Sequence, residues 1–465
     1  MTSQPSAAVP NKSFSCLDGS WTLDFSALQI TAQQLEALGQ LPQRHGLPAA
    51  IERLFAGQVV NPSENRAALH TLLRAAGPQP GIDRSICLQA QDQRRRFLQL
   101  AGQLYSGQTP LRDLIHVGIG GSLLGPRLVA DALDEGDSAI RVHWLSTLDG
   151  RRLERLLRQL DPATTGMLAA SRSFATEETL ELARAVRDWL GADWAGRSWA
   201  ATASHARAGS FGFKDEHVLG FPETVGGRFS LWSSTGTSSA ALIGPQRFEE
   251  LLAGAGQADA AFSQGPVDSS MAVVLALLLH HLRRGLNLPT LGIISYAPRL
   301  ALLADHAQQL IMESLGKRID LDGRLIDKPT APLVFGGCGT DLQHSIFQAL
   351  HQGSDSHPLL LIGARRDNHG HPDWHRRQLA HLHAQAECLL KGKSSGSSHQ
   401  RMPGNRPVMT LLTERVNAHA LGQLLATLEH AVYALAVLWN INPFDQWGVE
   451  EGKRLAAEIR RLPER

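Results

Sequence analysis

The sequence lacks an excess of charge of either sign. Its 45 lysines and arginines are matched by 44 aspartates and glutamates, which leaves a formal net charge of +1. Such a balance provides no electrostatic footprint for nucleic acid, so any basic group that binds a ligand must act locally. We therefore predict no nucleic-acid partner.

Cysteine is also scarce. The chain has four cysteines, which are far apart and show no C-x-x-C spacing: Cys16, Cys87, Cys338 and Cys388. This distribution argues against a disulfide framework and against a zinc ribbon. We expect reduced thiols and a cytoplasmic protein.

Long apolar runs and a secretion signal are missing as well. The first fifteen residues are polar and show no basic region followed by an apolar core. The longest apolar run, Met271 to Leu279, is too short to span a bilayer. We predict no membrane partner. The 465 residues, of which 43% are hydrophobic, can instead bury a sizeable core in two large domains.

Strand-like and helix-like segments alternate along most of the chain, in two blocks. Between about 105 and 245, strands are predicted at residues 114–117, 142–145, 166–170 and 198–201, with helices after Gly125, at 151–160 and at 179–190. In the second block, strands are predicted at 290–294, 333–335 and 359–362, with helices at 271–285, 299–315, 341–352, 374–390, 418–439 and 448–461. This alternation is typical of an α/β protein in which helices cover parallel sheets.

The first 104 residues are predicted to be helical. Apolar residues recur at helical spacing in segments 28–41, 51–55, 67–75 and 91–104, and Asn61 to Glu64 could cap the third of these. We assign residues 105–245 to a smaller domain, and residues 1–104 and 246–465 to a larger one.

A glycine turn, Gly118 to Ser122, follows the first predicted strand of the smaller domain and precedes a helix. Backbone N–H groups beside a helix N-terminus favour an anion, and the Ser122 hydroxyl adds a donor, so phosphate suits this turn. The glycines match neither the dinucleotide fingerprint nor the nucleotide-binding P-loop. The alternative is a turn that merely lets the helix pack closely on the sheet.

A second turn, Ser171 to Thr176, follows a neighbouring predicted strand and opens a helix. Three hydroxyls and Arg172 at a helix N-terminus form a second anion cradle. An ordinary capping box is the alternative interpretation. Because ligands collect at the carboxyl ends of parallel strands, we expect both turns to lie at the same sheet edge.

Other candidate residues lie further along the chain. Arg228 stands between a glycine pair and an apolar run, where the backbone can bring it close to a ligand. Gln309 and Glu313 lie one helical turn apart, and partial desolvation would suit a glutamate to proton abstraction. His344 follows a glycine-rich turn at a predicted helix start, and the segment Phe444 to Lys453 carries two glycines that suggest close contact with another group.

Taken together, these segments resemble the glucose-6-phosphate isomerase family. The resemblance covers nearly the whole chain in the family's order, in the blocks 61–70, 118–126, 171–179, 227–233, 313–317, 339–353, 404–407, 429–430 and 445–453. It implies two α/β/α sandwich domains of the sugar-isomerase (SIS) type, a smaller one within a larger one, in a homodimer. It also implies a hexose 6-phosphate substrate that passes through a cis-enediol, without a cofactor or a metal.

The resemblance implies a role for each matching residue. Glu313 corresponds to the base that moves a proton between C1 and C2, and Arg228 to the arginine that steadies the enediolate. His344, helped by Lys453, corresponds to the group that opens the sugar ring from the neighbouring subunit. The phosphate clamp and further substrate contacts correspond to Gly121, Ser122, Ser171, Arg172, Ser173, Thr176, Gln309 and Gln446.

The chain departs from the family pattern beside these residues. Leu123 stands where aspartate is usual, Arg172 where lysine is usual, and Leu315 where asparagine is usual, while Asp341-Leu342 replaces Asn-Gly and the loop near Ser394 is shortened. The proposed base, arginine, histidine and lysine are retained.

Two other functions fit parts of the sequence. A sugar-phosphate binding protein without catalysis, or with broadened specificity, would use the same fold and clamp, but a pure sensor has no need for Glu313, His344 and Lys453 together. A metal-dependent isomerase would need a ligand cluster, for which His369, His371, His375, His381 and His383 are candidates. Four neighbouring arginines would repel a cation there, so we predict no metal.

Overall fold

Two separate sheets organise the computed structural model, which describes residues 13–15, 20–28, 30–367 and 369–460. Their strands, in chain order, are β1 (Ser13–Ser15), β2 (Trp21–Asp24), β3 (Asp113–Val117), β4 (Arg141–Leu145), β5 (Thr165–Ala170), β6 (Ser198–Thr202), β7 (Val218–Gly220), β8 (Thr290–Ser295), β9 (Leu333–Cys338), β10 (Leu359–Ala364) and β11 (Val408–Thr413). The α/β fold class predicted from the sequence is confirmed.

The small sheet has the order β4-β3-β5-β6-β7, and all its strands run parallel. Its inner strand β3 is buried on both faces, because Ile115 and Val117 pack into one apolar cluster and Leu114 into another. Parallel sheets require such double coverage, since their crossover helices lie on the two faces.

The large sheet has the order β1-β2-β11-β10-β8-β9. Strands β8 to β11 are parallel, whereas β2 pairs antiparallel with β11 and β1 pairs antiparallel with β2. The N-terminal segment therefore completes a sheet whose other strands lie after residue 289. The division of the chain at residues 105 and 245 stays a prediction.

The α-helices cover the sheets and fill the space between them. They are α1 (Ala32–Gly39), α2 (Leu41–Arg44), α3 (Leu47–Phe55), α4 (Arg84–Tyr105), α5 (Leu124–Leu133), α6 (Gly150–Leu157), α7 (Glu177–Leu190), α8 (His205–Phe211), α9 (Thr237–Ile243), α10 (Pro245–Gln264), α11 (Met271–His280), α12 (Leu303–Leu315), α13 (Gly339–Gln343), α14 (Phe347–Gln352), α15 (Pro372–Lys391), α16 (Ala418–Trp439) and α17 (Glu450–Arg460).

Helix α16 has the length and apolar composition of a membrane-spanning helix, and it is the one such helix among the described residues. Ninety-four per cent of its most apolar window is buried inside the molecule. It packs against α10 and α11, where Gly422 approaches the Leu251 carbonyl so closely that a side chain would not fit. Its apolar surface is therefore covered by protein.

Several predicted elements differ in the structure. The N-terminal segment is not purely helical, because it contributes β1 and β2. The helix predicted at 67–75 is a single 3-10 turn, Thr71–Arg74, and Asn61 forms a β-bridge with Arg66 instead of preceding a helix. The helix predicted at 341–352 is interrupted between α13 and α14. Strands β7 and β11 and helices α9 and α10 were not predicted. Two residues named in the predictions, Cys16 and Arg461, lie outside the described residues.

A buried ionic network joins the N-terminal segment to α10 and α16. The Arg74 guanidinium donates to both oxygens of Asp259, at 2.7 and 2.8 Å, and also pairs with Glu429. His430 Nε2 lies 2.6 Å from Asp259, and the Trp232 indole donates to Glu429 at 2.8 Å. Burial raises the pKa of Glu429 to about 7, against the opposing effect of Arg74.

We expect Asp259→Ala to lower the free energy of unfolding by about 3–5 kcal/mol, because it leaves the buried Arg74 charge without its bidentate partner. Denaturant titration followed by circular dichroism measures this. The exposed Glu36→Ala, on α1, should change the same quantity by less than about 0.5 kcal/mol. Equal stability of the two variants would contradict a stabilising role for the network.

Candidate active site

The two turns predicted to bind an anion lie side by side at one edge of the small sheet. Residues 118–122 follow β3 and residues 171–176 follow β5. These strands pair in parallel, with Val117 opposite Ala169. Because neighbouring strands are about 4.8 Å apart, both turns emerge close together at the carboxyl ends of the strands.

The hydroxyls of the second turn are not used as a helix cap. Thr176 precedes α7, but its side chain makes no capping hydrogen bond, and its Oγ1 lies 3.1 Å from Ser171 Oγ. The capping-box interpretation is therefore wrong for this residue. The paired hydroxyls remain beside the helix N-terminus, where the dipole favours an anion.

Phe174 holds the second turn in shape. Its backbone is left-handed, with a φ of 46°, which is uncommon for a residue with a large side chain. The ring is buried and packs edge-on against Phe211 and Phe213, with centroids 5.8 Å away from each. Apolar packing thus fixes the backbone that presents Ser171, Ser173 and Thr176.

A neutral histidine supports the first turn from below. His116, on β3, is fully buried, and this burial lowers its pKa to about 4. Its Nε2 lies 2.8 Å from the Ser122 carbonyl oxygen and its Nδ1 lies 2.9 Å from the Ser238 hydroxyl. The uncharged ring therefore donates to Ser122 and accepts from Ser238, which anchors the turn without adding charge.

The first turn also touches the segment that carries Arg228. A Cβ atom on Gly121 would lie 2.1 Å from the Gly227 carbonyl oxygen and 2.6 Å from the Arg228 amide nitrogen. Only glycine permits this approach between backbones. The first turn and the arginine are thereby held in one fixed arrangement.

Helix α12 places one residue beside the first turn and another beside Arg228. Gln309 lies over the first turn, where a Cβ on Gly120 would come within 3.0 Å of its amide nitrogen. One helical turn later, Glu313 Oε1 lies 3.4 Å from Arg228 Nη1. The Glu313 side chain is 22% exposed, and its Oε2 is buried and accepts no hydrogen bond from the described residues.

Arg228 is almost completely buried and is held mainly by neutral acceptors. Its guanidinium donates to Ser314 Oγ at 2.7 Å, to Gln446 Oε1 at 2.8 Å, and to the carbonyl oxygens of Pro443 and Asp445. Burial lowers the pKa of Arg228, an effect that the Glu313 carboxylate opposes. A guanidinium keeps its proton in proteins, so the site holds a permanent, partly uncompensated positive charge.

Beside these residues opens a cleft of about 660 Å³, large enough for a sugar phosphate. One wall comes from the end of α12 and the segment after it, and the other from the segment after α16. Its lining includes Ser63, Glu313, Lys317, Asn442, Asp445 and Gln446.

Four of these six lining residues, namely Ser63, Lys317, Asn442 and Asp445, have no role in the sequence-based prediction. Asp445 accepts from Lys317 at 2.6 Å, from Ser63 at 2.6 Å and from Asn442 at 2.9 Å. The sequence offered two signals for these residues. Lys317 lies one helical turn after Glu313, and Asp445 lies next to Gln446. Contacts between such distant segments have no local signature.

Two predicted catalytic residues do not line this cleft. His344 is exposed at the end of α13, not at a helix start, and Lys453 is exposed on α17, where it pairs with Glu450 at 2.8 Å. Neither lines the cleft beside Glu313. The single chain brings together Glu313, Arg228, Gln309 and Gln446, and leaves His344 and Lys453 outside.

The histidine-rich segment after β10 offers one group of metal-ligand atoms. Asp367, His369 and His375 have donor atoms within 4.8 Å of one another. However, His369 Nδ1 accepts the His371 amide at 3.1 Å, so its proton is on Nε2, which lies 3.4 Å from Asp367. The contact between His369 and Asp367 accounts for two of these three groups, and the absence of a metal stays a prediction.

Comparison with protein families gives a match over residues 24–465, to the model described as phosphoglucose isomerase. The chain belongs to the phosphoglucose isomerase family.

Curated and structural relatives agree with this assignment. A glucose-6-phosphate isomerase of Stenotrophomonas maltophilia is 43% identical over 439 residues, which cover 94% of this chain and 86% of that protein. One of Xylella fastidiosa is 41% identical with the same coverage. The crystal structure of a glucose-6-phosphate isomerase from Chlamydia trachomatis superposes with a TM-score of 0.87 at 29% identity, over 96% of this chain and 90% of that one.

The departures from the phosphoglucose isomerase pattern fall on two kinds of position. Leu123 and Leu315 are both buried, and Leu315 packs into the large apolar cluster. Arg172 is half-buried in the second turn, close enough to Arg228 for the two charges to repel. Both leucines place an apolar side chain where a polar one is usual, and Leu123 also removes a negative charge, whereas Arg172 keeps the positive charge of the usual lysine.

We expect Gly121→Ala to lower kcat by about 10–100-fold, because the added methyl must push Arg228 away from its position and small misplacements are costly in catalysis. Steady-state assay of fructose 6-phosphate conversion measures it. Gly150→Ala is the control, since a Cβ there meets no atom within 4 Å. A Gly121→Ala protein with unchanged kcat would show that the close backbone approach is dispensable.

Proposed function

We propose that this protein interconverts glucose 6-phosphate and fructose 6-phosphate by ring opening and a cis-enediol, in glycolysis and gluconeogenesis. Family membership and the glucose-6-phosphate isomerases at 41–43% identity support this reaction. The observation that carries the proposal is the pairing of Glu313 and Arg228 at the wall of a sugar-sized cleft.

Glu313 acts as the base in this scheme. Its Oε1 faces Arg228, which orients the carboxylate, and its Oε2 accepts no bond from the described residues and can take a proton. The carboxylate removes the hydrogen from C2 of open-chain glucose 6-phosphate and returns it to C1, while the C1 oxygen gains a proton and the C2 hydroxyl loses one, which gives fructose 6-phosphate. A single positioned base can serve both carbons because they are adjacent.

Arg228 stabilises the oxygen that becomes negative in the enediolate. A preorganised cation in a partly buried site interacts more strongly with developing charge than it would in water. Its bonds to Ser314, Gln446 and two carbonyl groups keep the guanidinium in place without cancelling its charge.

The two turns hold the phosphate group. Backbone N–H groups near Gly121, the hydroxyls of Ser122, Ser171, Ser173 and Thr176, and the Arg172 side chain supply the donors. Charge-assisted hydrogen bonds contribute about 1.5–3 kcal/mol each, so several of them can bind a dianion without a metal. Gln309 and Gln446 supply further contacts to the sugar.

His344 acts in a homodimer, from the neighbouring subunit, and Lys453 assists ring opening. Both side chains are exposed and neither belongs to the cleft lining, which supports this arrangement. Apolar side chains on and before α17 are also exposed, among them Trp447 at 61% and Ile459 at 66%. A second subunit can cover such surface. We place the enzyme in the cytoplasm.

A non-catalytic sugar-phosphate sensor would keep the turns but gain nothing from a free carboxylate oxygen beside a buried arginine. We therefore favour catalysis.

We expect Glu313→Gln to lower kcat by about 10²–10⁴-fold, because it removes the base while preserving shape. A coupled assay from fructose 6-phosphate, run with and without chelator, measures the rate, and calorimetry measures sugar-phosphate binding, which should persist. The exposed Glu249→Gln serves as control. A near-normal rate in Glu313→Gln would remove it from this role, and an inactive wild type would favour the sensor.

A mixed dimer tests the role of His344. One subunit carries Glu313→Gln and the other His344→Ala, each with its own affinity tag, and the mixed species is purified through both tags. If His344 acts across the interface, one of the two sites contains both native residues, and the mixed dimer should recover about half of the wild-type activity. If His344 acts within its own subunit, the mixed dimer should be as inactive as the two parent homodimers.

A further inference from the structure

The position of Arg228 depends on one short segment, residues 443–446. Three of its acceptors belong to this segment: the carbonyl oxygens of Pro443 and Asp445 and the side-chain oxygen of Gln446. This segment lies between α16 and α17 and has no regular hydrogen-bonding pattern of its own apart from a 3-10 turn that begins at Trp447. Something else must fix its backbone.

Asp445 is the point at which the segment is tied down. Its Oδ1 accepts from Lys317, and its Oδ2 accepts from Ser63 at 2.6 Å and from Asn442 at 2.9 Å. Asn442 also donates to Asn61 at 2.8 Å. The carboxylate therefore joins three parts of the chain that are distant in sequence.

Lys317 makes the strongest of these contacts. Its ammonium lies 2.6 Å from Asp445 Oδ1 and 2.5 Å from the Asp445 carbonyl oxygen, so it grips the side chain and the backbone of one residue. The same carbonyl oxygen accepts from Arg228 at 3.0 Å. The lysine side chain is only 14% exposed. A charge-assisted contact in this setting is worth more than an exposed ion pair.

We propose that Lys317 is a positioning residue for the isomerase reaction: by clamping Asp445, it fixes residues 443–446 and thereby holds the Arg228 guanidinium beside Glu313. The inference rests on the proposed function. Because the ammonium is already bound to two oxygens of Asp445, Lys317 acts through Arg228 and not on the substrate.

The first experiment compares Lys317→Met with Lys328→Met, an exposed lysine outside the cleft lining. We expect Lys317→Met to lower kcat about 10–100-fold, because loss of the clamp displaces Arg228. The KM for fructose 6-phosphate should change less than about threefold, since the phosphate-binding turns belong to the small sheet. Lys328→Met should match the wild type.

A double-mutant cycle identifies the route of the effect. If Lys317 acts through Arg228, Lys317→Met should cost less than about twofold in a protein that already carries Arg228→Gln. If the two losses multiply, Lys317 has a separate role and the proposal is wrong. Because this comparison is made within one background, a general loss of stability does not imitate the expected result.

A conservative variant and a pH profile add readouts that would not change if Lys317 served only to fill space. Burial lowers the pKa of Lys317, against the opposing charges of Asp445 and Glu313 and together with the repulsion of Arg228. Deprotonation at alkaline pH would release Asp445, so kcat should fall there. Lys317→Arg should restore most of the activity and move this fall to higher pH, because arginine keeps its charge.

The outcomes distinguish a failure of the Lys317 proposal from a failure of the proposed isomerase function. An inactive wild type contradicts the isomerase proposal itself. An active wild type with an equally active Lys317→Met contradicts only the positioning role. If Lys317→Met does not fold, Asp445→Asn replaces it, since this change keeps the shape but removes the charge that Lys317 binds. Asp445→Asn should likewise lose kcat, and lose little more in the Arg228→Gln background.

Discussion

The burial of one guanidinium without a full counter-charge is the constraint on which this active site depends. Among the described residues, Arg228 has one carboxylate within 4 Å, that of Glu313 at 3.4 Å, and otherwise donates to neutral oxygens. Removing a cation from water is expensive, so the protein must supply several well-placed acceptors. These come from α12 and from the segment after α16, and the backbone of Arg228 is pressed against the glycine turn of the small sheet. The groups that hold Arg228 therefore come from elements beside both sheets and meet in one site.

A second buried arginine shows the opposite solution. Arg74 forms ion pairs with Asp259 and Glu429, so its charge is neutralised within the core. Such a network serves the structure and offers nothing to a ligand. Arg228 is held as firmly, but by carbonyl, hydroxyl and amide oxygens, so part of its field remains available to an enediolate. The difference between the two environments is the difference between a structural and a functional cation.

Local pattern was enough to predict seven parallel strands, β3 to β6 and β8 to β10, and the two turns, because apolar runs followed by glycine or hydroxyl residues are visible in a short window. The three- and four-residue strands β1, β2 and β7 carry too little periodicity to be recognised. β11, with Val408, Thr410 and Thr413, had a strand-like composition that was overlooked. The roles assigned to Glu313 and Arg228 came from family resemblance. The Lys317–Asp445 clamp joins residues 128 positions apart, so no sequence window contains it.

The antiparallel pairing of β2 with β11 has a consequence for the order of events during synthesis. Every strand of the small sheet lies between Asp113 and Gly220, so that sheet can assemble while the ribosome is still translating the rest of the chain. The large sheet pairs Trp21–Asp24, which precede the small sheet in the chain, with Val408–Thr413, which follow it. The β1–β2 pair thus waits without its neighbour β11 until residues 408–413 have been made.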